Sequence, residues 1–300
     1  MSVKKFFSPE FVPIQSVLYH ELAFDILRLD KIHLGASGNK FFKLKYNFME
    51  AEKKGLKKIL TFGGAFSNHI AATAISAKAC GFESIGIIRG EEVSNPTLEL
   101  AKENGMLLHF ISREEYRAKE EERGLKELGA KFDHPYIIPE GGTNELAISG
   151  TKEIHQYIPD DYGLISTCFG TGGTIAGLIK GKSAKQKLLG FSVLKGEWPE
   201  QEIEKLLEGS KEENWEIKTQ YHFGGYAKWQ PELIDFIQDF YKKTSIALDP
   251  IYTGKMMYGL MMELEKGNIK SDQKILAIHS GGLQGVAGFN QRFGFDLAEK

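Results

Sequence analysis

Short apolar runs that end in glycine and give way to a helical pattern recur along this 300-residue chain. Residues 59–62 (ILTF) run into Gly63-Gly64, and an Ala-rich helical stretch follows over 67–80, stopped by Gly81. Residues 164–169 lead into Gly170-Thr171-Gly172-Gly173-Thr174 and a helix near Thr174, and residues 274–278 lead into His279-Ser280-Gly281-Gly282. Buried parallel strands read as continuous apolar runs, and their connections need a crossover helix. The repeated theme predicts an α/β fold of open, mostly parallel sheets flanked by helices. Further strands are expected over 85–88, 107–111, 136–138, 187–193 and 216–221. Further helices are expected over 43–54, 200–207, 231–243 and 253–266, and one beginning at the Asn95-Pro96 cap.

Composition removes several classes. The formal net charge of −2 gives no field that favours nucleic acid or an anionic membrane. Cys80 and Cys168 lie far apart with no CxxC pair, which argues against a disulfide framework or zinc ribbon, and no metal site is expected. No apolar run is long enough to span a bilayer. The start, MSVKKFFSPEF, is not a secretory signal. The expectation is a cytoplasmic enzyme, with the charge cluster at 113–123 as a solvated helix face.

Three segments carry chemistry. In Ser37-Gly38-Asn39-Lys40-Phe41-Phe42 a lysine follows a flexible pair just ahead of the helical pattern. A surface lysine in a turn is the plain reading, and the Walker pattern GxxxxGK[ST] is absent. Phe41 and Phe42 are expected to desolvate the amine and lower its pKa, which favours Schiff-base chemistry. In Gly63-Gly64-Ala65-Phe66-Ser67-Asn68-His69, backbone N–H groups at a helix start are placed to meet an anion. One of Ser67 and Asn68 serves as N-cap, which leaves the other for a ligand, while His69 reads equally as a first-turn residue. In the 170–177 loop Ile175 replaces the third glycine of a dinucleotide fingerprint, and 190–194 carries no acidic residue for a ribose. The hydroxyls of Thr171 and Thr174 instead suit a phosphate monoester. Tyr252 and Ser280 sit in loops expected to face the same crevice, though Tyr252 reads equally as a core aromatic and Tyr226, after Gly224-Gly225, as a loop aromatic. A positioned amine, a hydroxyl/amide cluster and a phosphate loop are together what a pyridoxal phosphate enzyme needs.

The segments GNKFFKLKYN (38–47), FGGAFSNHIAATA (62–74), IPEGGTNELAISG (138–150), FGTGGTIAG (169–177) and LDPIYTGKMMYGL (248–260) together resemble one family. It is the 1-aminocyclopropane-1-carboxylate deaminase and D-cysteine desulfhydrase family, among the tryptophan synthase β-like, fold-type II pyridoxal phosphate enzymes. The resemblance runs from Pro13 to Gly282 and implies a two-domain fold. A smaller domain, 45–145, is inserted in a larger one formed by 1–44 and 146–300, and the working unit is a homodimer. It makes Lys40 the Schiff-base lysine and Asn68 the partner of the cofactor's ring hydroxyl. Gly170, Thr171, Gly172, Gly173 and Thr174 become the phosphate loop. Ser67, with Asn68 and His69, meets the substrate and its carboxylate, and Tyr226 and Tyr252 match two active-site tyrosines. Deaminases of the family carry glutamate after the second tyrosine, against the pyridine nitrogen. Thr253 stands there in this chain, and with Ser280 it matches the desulfhydrases. The implied activity is β-elimination from a small amino acid such as D-cysteine. Cyclopropane ring opening and a non-catalytic cofactor-binding protein are the alternatives.

Overall fold

The computed structural model describes residues 1–33, 35–119, 121–210, 212–270 and 273–300. The charge cluster at 113–123 contains residue 120, which lies outside them. Among the described residues ten strands follow in order: β1 Ile14–Tyr19, β2 Leu22–Arg28, β3 Lys58–Gly63, β4 Glu83–Arg89, β5 Met106–Ile111, β6 Tyr136–Ile138, β7 Leu164–Phe169, β8 Lys187–Ser192, β9 Trp215–Lys218 and β10 Ile275–His279. They form a six-stranded sheet in the order β1-β2-β10-β7-β8-β9 and a four-stranded sheet in the order β5-β4-β3-β6. Every pairing is parallel except the β1–β2 hairpin. The fold is the α/β architecture that the strand–glycine–helix theme predicts.

Burial explains why these runs are strands. All six residues of β7 are buried, as are all five of β10. Along β10 the side chains alternate between two cores, the spacing that the pleat dictates. Leu276 and Ile278 join Phe41, Phe42, Phe48, Ile175 and Leu178, from helices Asn39–Lys53 and Gly173–Gly181 on one face. Ile275 and Ala277 join Leu233, Ile237, Met257 and Leu260, from helices Pro231–Thr244 and Thr253–Glu265 on the other.

The structure corrects several sequence readings. The hairpin was not anticipated. Its turn is His20-Glu21, both at positive φ (44° and 65°), in place of the Asn-Gly or Asp-Gly that marks such turns. The first long helix begins at Asn39, not residue 43, so Lys40 lies on its first turn. β9 ends at Lys218, short of Tyr221. No helix among the described residues is long and apolar enough to cross a membrane.

Candidate active site

The carboxyl ends of β3, β7 and β10 open onto one cavity of about 340 Å³, where open α/β sheets place ligands. Lys40, Ser67, Asn68, His69, Gly170, Thr171, Gly172, Thr174, Tyr226, Tyr252 and Ser280 all line it. Gly173 packs just behind, where an added Cβ would fall 2.9 Å from Thr143 and 3.1 Å from Lys43.

Lys40 owes its position to Gly38, whose φ of 74° starts the helix without a side-chain cap. A Cβ on Gly38 would stand 2.1 Å from the Ser280 carbonyl oxygen, so only glycine fits. The Asn39 N–H donates to that same oxygen at 3.0 Å, and Asn39 Nδ2 donates to Thr174 Oγ1 at 2.8 Å. Behind Ser280, His279 faces Asp30 at 3.3 Å and the Ala247 carbonyl at 2.8 Å, and Arg28 pairs with Asp30 at 2.6 Å. The turn that carries Lys40 is thus locked onto the end of β10. Burial lowers the pKa of Lys40, which favours the neutral amine that nucleophilic and general-base work needs. Phe41 and Phe42 are not the agents expected from the sequence. The helix turns both away from the cavity, into the core beside Phe7 and Tyr157.

Ser67 and Asn68 divide their roles as the capping argument requires. Ser67 Oγ accepts from Ile70 N–H at 3.4 Å as N-cap of helix Asn68–Cys80. Asn68 Oδ1 is buried at the cavity wall with no hydrogen-bond partner, an acceptor that a ligand's hydroxyl would satisfy. His69 lines the cavity with one ring nitrogen already engaged. Thr61 Oγ1 donates to the Ile138 carbonyl at 2.9 Å, so it accepts from His69 Nε2–H at 2.7 Å. Burial, and then the nearby Lys40 and Lys43, hold the ring's pKa well below its ordinary value. The other ring nitrogen, Nδ1, is buried with no hydrogen-bond partner.

At the loop, Gly172 takes the left-handed conformation (φ 79°) and the helix Gly173–Gly181 leaves its first N–H groups free of intrahelical partners. Lys43, unnoticed in the sequence, lies beside it, 1 % exposed. Its Nζ donates to the Gly141 carbonyl and to Thr143 Oγ1, both at 2.7 Å, and to Thr171 Oγ1 at 3.2 Å. Burial, and then Lys40, push its pKa well down, and an anion alongside would oppose that shift. A helix start, hydroxyls and a buried amine form a donor set for phosphate. With Asn68 Oδ1 open, the residues present fit pyridoxal phosphate.

Thr253 also departs from expectation. It is fully buried and does not line the cavity. Its hydroxyl accepts from Asp249 N–H at 2.9 Å and donates to Asp249 Oδ2 at 2.6 Å, so it has no proton left for a ring nitrogen. Asp249 also gathers the N–H groups of Ile251, Tyr252 and Thr253 at 2.8–2.9 Å, and so starts the helix that presents Tyr252. Ser280 is the hydroxyl that does reach the cavity, 3.2 Å from Cys168 Sγ, a thiol that burial raises to about 11.

Tyr226 and Tyr252 meet edge to face, with centroids 6.1 Å apart. Burial, then Tyr226, holds the Tyr252 phenol well above its ordinary value, so it stays a proton donor. The Tyr226 loop rests on buried Lys255, whose Nζ donates to the His222 and Gly225 carbonyls at 2.8 Å each. Burial lowers Lys255 to about 8, from 10.5 in an unfolded chain. Between those values the unfolded chain holds the proton and the folded one does not, so this group makes stability rise with pH across that window. Lys255→Met should flatten that rise. Guanidinium midpoints at pH 7.5 and 9.5 for both proteins check it, and equal slopes would refute it.

Comparison with known proteins agrees with this geometry. The family model described as "Pyridoxal-phosphate dependent enzyme" matches residues 26–281, and the chain belongs to that family. Within it, the chain belongs to the 1-aminocyclopropane-1-carboxylate deaminase and D-cysteine desulfhydrase family of fold-type II lyases. A Pyrococcus abyssi protein provisionally named 1-aminocyclopropane-1-carboxylate deaminase is 33% identical, over 91% of this chain and 90% of its own. The Arabidopsis thaliana mitochondrial bifunctional D-cysteine desulfhydrase/1-aminocyclopropane-1-carboxylate deaminase is also 33% identical, over 87% of this chain and 72% of its own. The crystal structure of an ACC deaminase homologue superposes with a TM-score of 0.82 at 30% identity, covering 95% of this chain and 93% of that one. The protein is a pyridoxal-phosphate-dependent lyase.

Proposed function

We propose that this lyase catalyses β-elimination from a small amino acid such as D-cysteine, with pyruvate, ammonia and sulfide as products. The observation that supports this reading most is the neutral Ser280 hydroxyl in the cavity wall, with Thr253 turned away onto Asp249. A neutral hydroxyl leaves the cofactor's ring nitrogen mostly unprotonated, enough to expel a good leaving group and weak for opening a cyclopropane.

Bound pyridoxal phosphate supplies the electron sink that stabilises negative charge at the substrate's α-carbon. In this reading Lys40 would hold the cofactor and would serve as the general base that takes the α-proton. Asn68 meets the ring hydroxyl. The 170–174 loop and Lys43 hold the phosphate. Ser67 and the adjoining N–H groups at the helix start take the substrate carboxylate, while Tyr252 and Tyr226 border the β-substituent. We take residues 45–145 as a smaller domain inserted into one formed by 1–44 and 146–300. The confinement of the four-stranded sheet to residues 58–138 supports that division. Exposed Phe11 and Leu18, beside and on edge strand β1, support the homodimer.

The Arabidopsis relative's bifunctional name keeps ring opening as the second reading. A panel of D-cysteine, L-cysteine, β-chloro-D-alanine and 1-aminocyclopropane-1-carboxylate, assayed for keto acid and sulfide, separates the two. Sulfide and pyruvate from D-cysteine are expected. Efficient ring opening with no sulfide from D-cysteine would overturn the proposal.

A further inference from the structure

The cavity is lined by three cationic side chains, Lys40, Lys43 and Arg89, and the roles proposed above use only the first two. Arg89 closes β4 at the mouth of the cavity and is exposed. Its guanidinium lies 5.7 Å from the centroid of the buried Tyr116 ring, which also receives Lys119 at 4.4 Å. Lys119 in turn pairs with Glu140 at 3.0 Å, so the acidic side chain at the mouth already has a cation. Among the described residues no hydrogen bond or ion pair engages the Arg89 side chain. A Cβ on Gly64 would stand 3.7 Å from Arg89 Nη2. No side chain therefore stands between the guanidinium and the backbone of Gly64. The other end of the 64–68 loop, Ser67 and the helix start, is the proposed seat of the α-carboxylate.

We infer that Arg89 is a specificity residue, and that the preferred substrates are small amino acids whose β-substituent carries a negative charge. The inference rests on the β-elimination reading. A guanidinium presents a planar fork of donors that fits carboxylate, sulfonate or phosphate oxygens through paired hydrogen bonds. In the reaction the Cα–H proton is removed, and the bond from Cβ to the substituent breaks. The substituent leaves with the electron pair, and water completes the products as pyruvate, ammonia and the free anion. Charge on the leaving group grows in that step, so a cation at the mouth stabilises it more after bond breaking than before.

The test compares O-phosphoserine with O-acetylserine, in D and L forms, on the holoenzyme and on Arg89→Gln, a change at an exposed position. The ratio of kcat/KM for the charged over the neutral substrate should exceed one. It should fall by at least about tenfold in Arg89→Gln, the size of one charge-assisted pair. In the wild type it should also shrink between low and high salt, because an exposed cation is screened. An unchanged ratio would overturn the inference, including the case where both substrates weaken together because Arg89 holds the α-carboxylate. Titration of the holoenzyme with aspartate and asparagine, neither carrying a β-leaving group, reads the same preference without turnover. Tighter aspartate binding that is lost in Arg89→Gln supports the inference even if no substrate is eliminated, in which case the β-elimination reading alone fails. Elimination without any charge preference leaves that reading standing and sinks the inference.

Discussion

Replacing Lys40 with alanine will lower turnover by more than about 10³-fold, because the covalent anchor and the general base are lost together. The same variant will not lose folding stability. An amine whose pKa is lowered by burial contributes a cost to the folded state, and alanine on a first helical turn is a good helix former. The pairing of a dead enzyme with an unimpaired fold is what distinguishes a chemical lysine from a structural one. The decisive control is the neighbour three residues on. Borohydride treatment of the wild type followed by peptide mapping should place the cofactor on Lys40. A label on Lys43, which already makes three hydrogen bonds, would reverse the assignments of anchor and phosphate ligand.

The second large effect comes from a methyl group. Gly38→Ala puts a Cβ 2.1 Å from the Ser280 carbonyl oxygen, at a φ of 74°. Both partners are backbone, so neither can swing aside as a side chain does. Overpacking costs about 1–3 kcal/mol and the disfavoured backbone conformation about 1–3 kcal/mol more. The variant should lose on the order of 4 kcal/mol of stability. Separation of the two segments also breaks the Asn39 N–H contact to Ser280, so cofactor retention should fall alongside. Unfolding midpoints and the visible absorbance of the purified protein read the two losses. A yellow, fully stable variant would show that the turn does not position Lys40.

The parts of this molecule that were legible in the sequence are those written in local chemistry. β3 and β7 announce themselves because each is a buried apolar run that ends in glycine, and the Ser67 cap is fixed by the helix immediately after it. The hairpin β1–β2 escaped because His20-Glu21 carries none of the usual turn chemistry, although both residues sit at positive φ. Lys43 and Arg89 escaped for a different reason. Lys43 meets Gly141, 98 positions away, and Arg89 owes its place at the mouth to β4 lying beside β3. Thr253 was found in the right segment and given the wrong neighbour. Its hydroxyl is claimed by Asp249, four residues earlier, in a turn that Asp249-Pro250 marks without saying which side chain will close it.

The strand order of the larger sheet has a consequence for synthesis. β2, made within the first 28 residues, pairs with β10, whose last residue is 279, and the Lys40 turn rests on Ser280. The smaller sheet draws only on residues 58–138 and can form while the chain is still growing. The larger one must hold an early strand open for its distant partner, a closure that is slow for entropic reasons. A nascent chain shorter than 280 residues therefore has a phosphate loop and a lysine but lacks the Ser280 carbonyl that locks the lysine's turn. Cofactor capture should wait until β10 has joined the sheet, so that the reactive amine is not engaged before the walls that govern it exist.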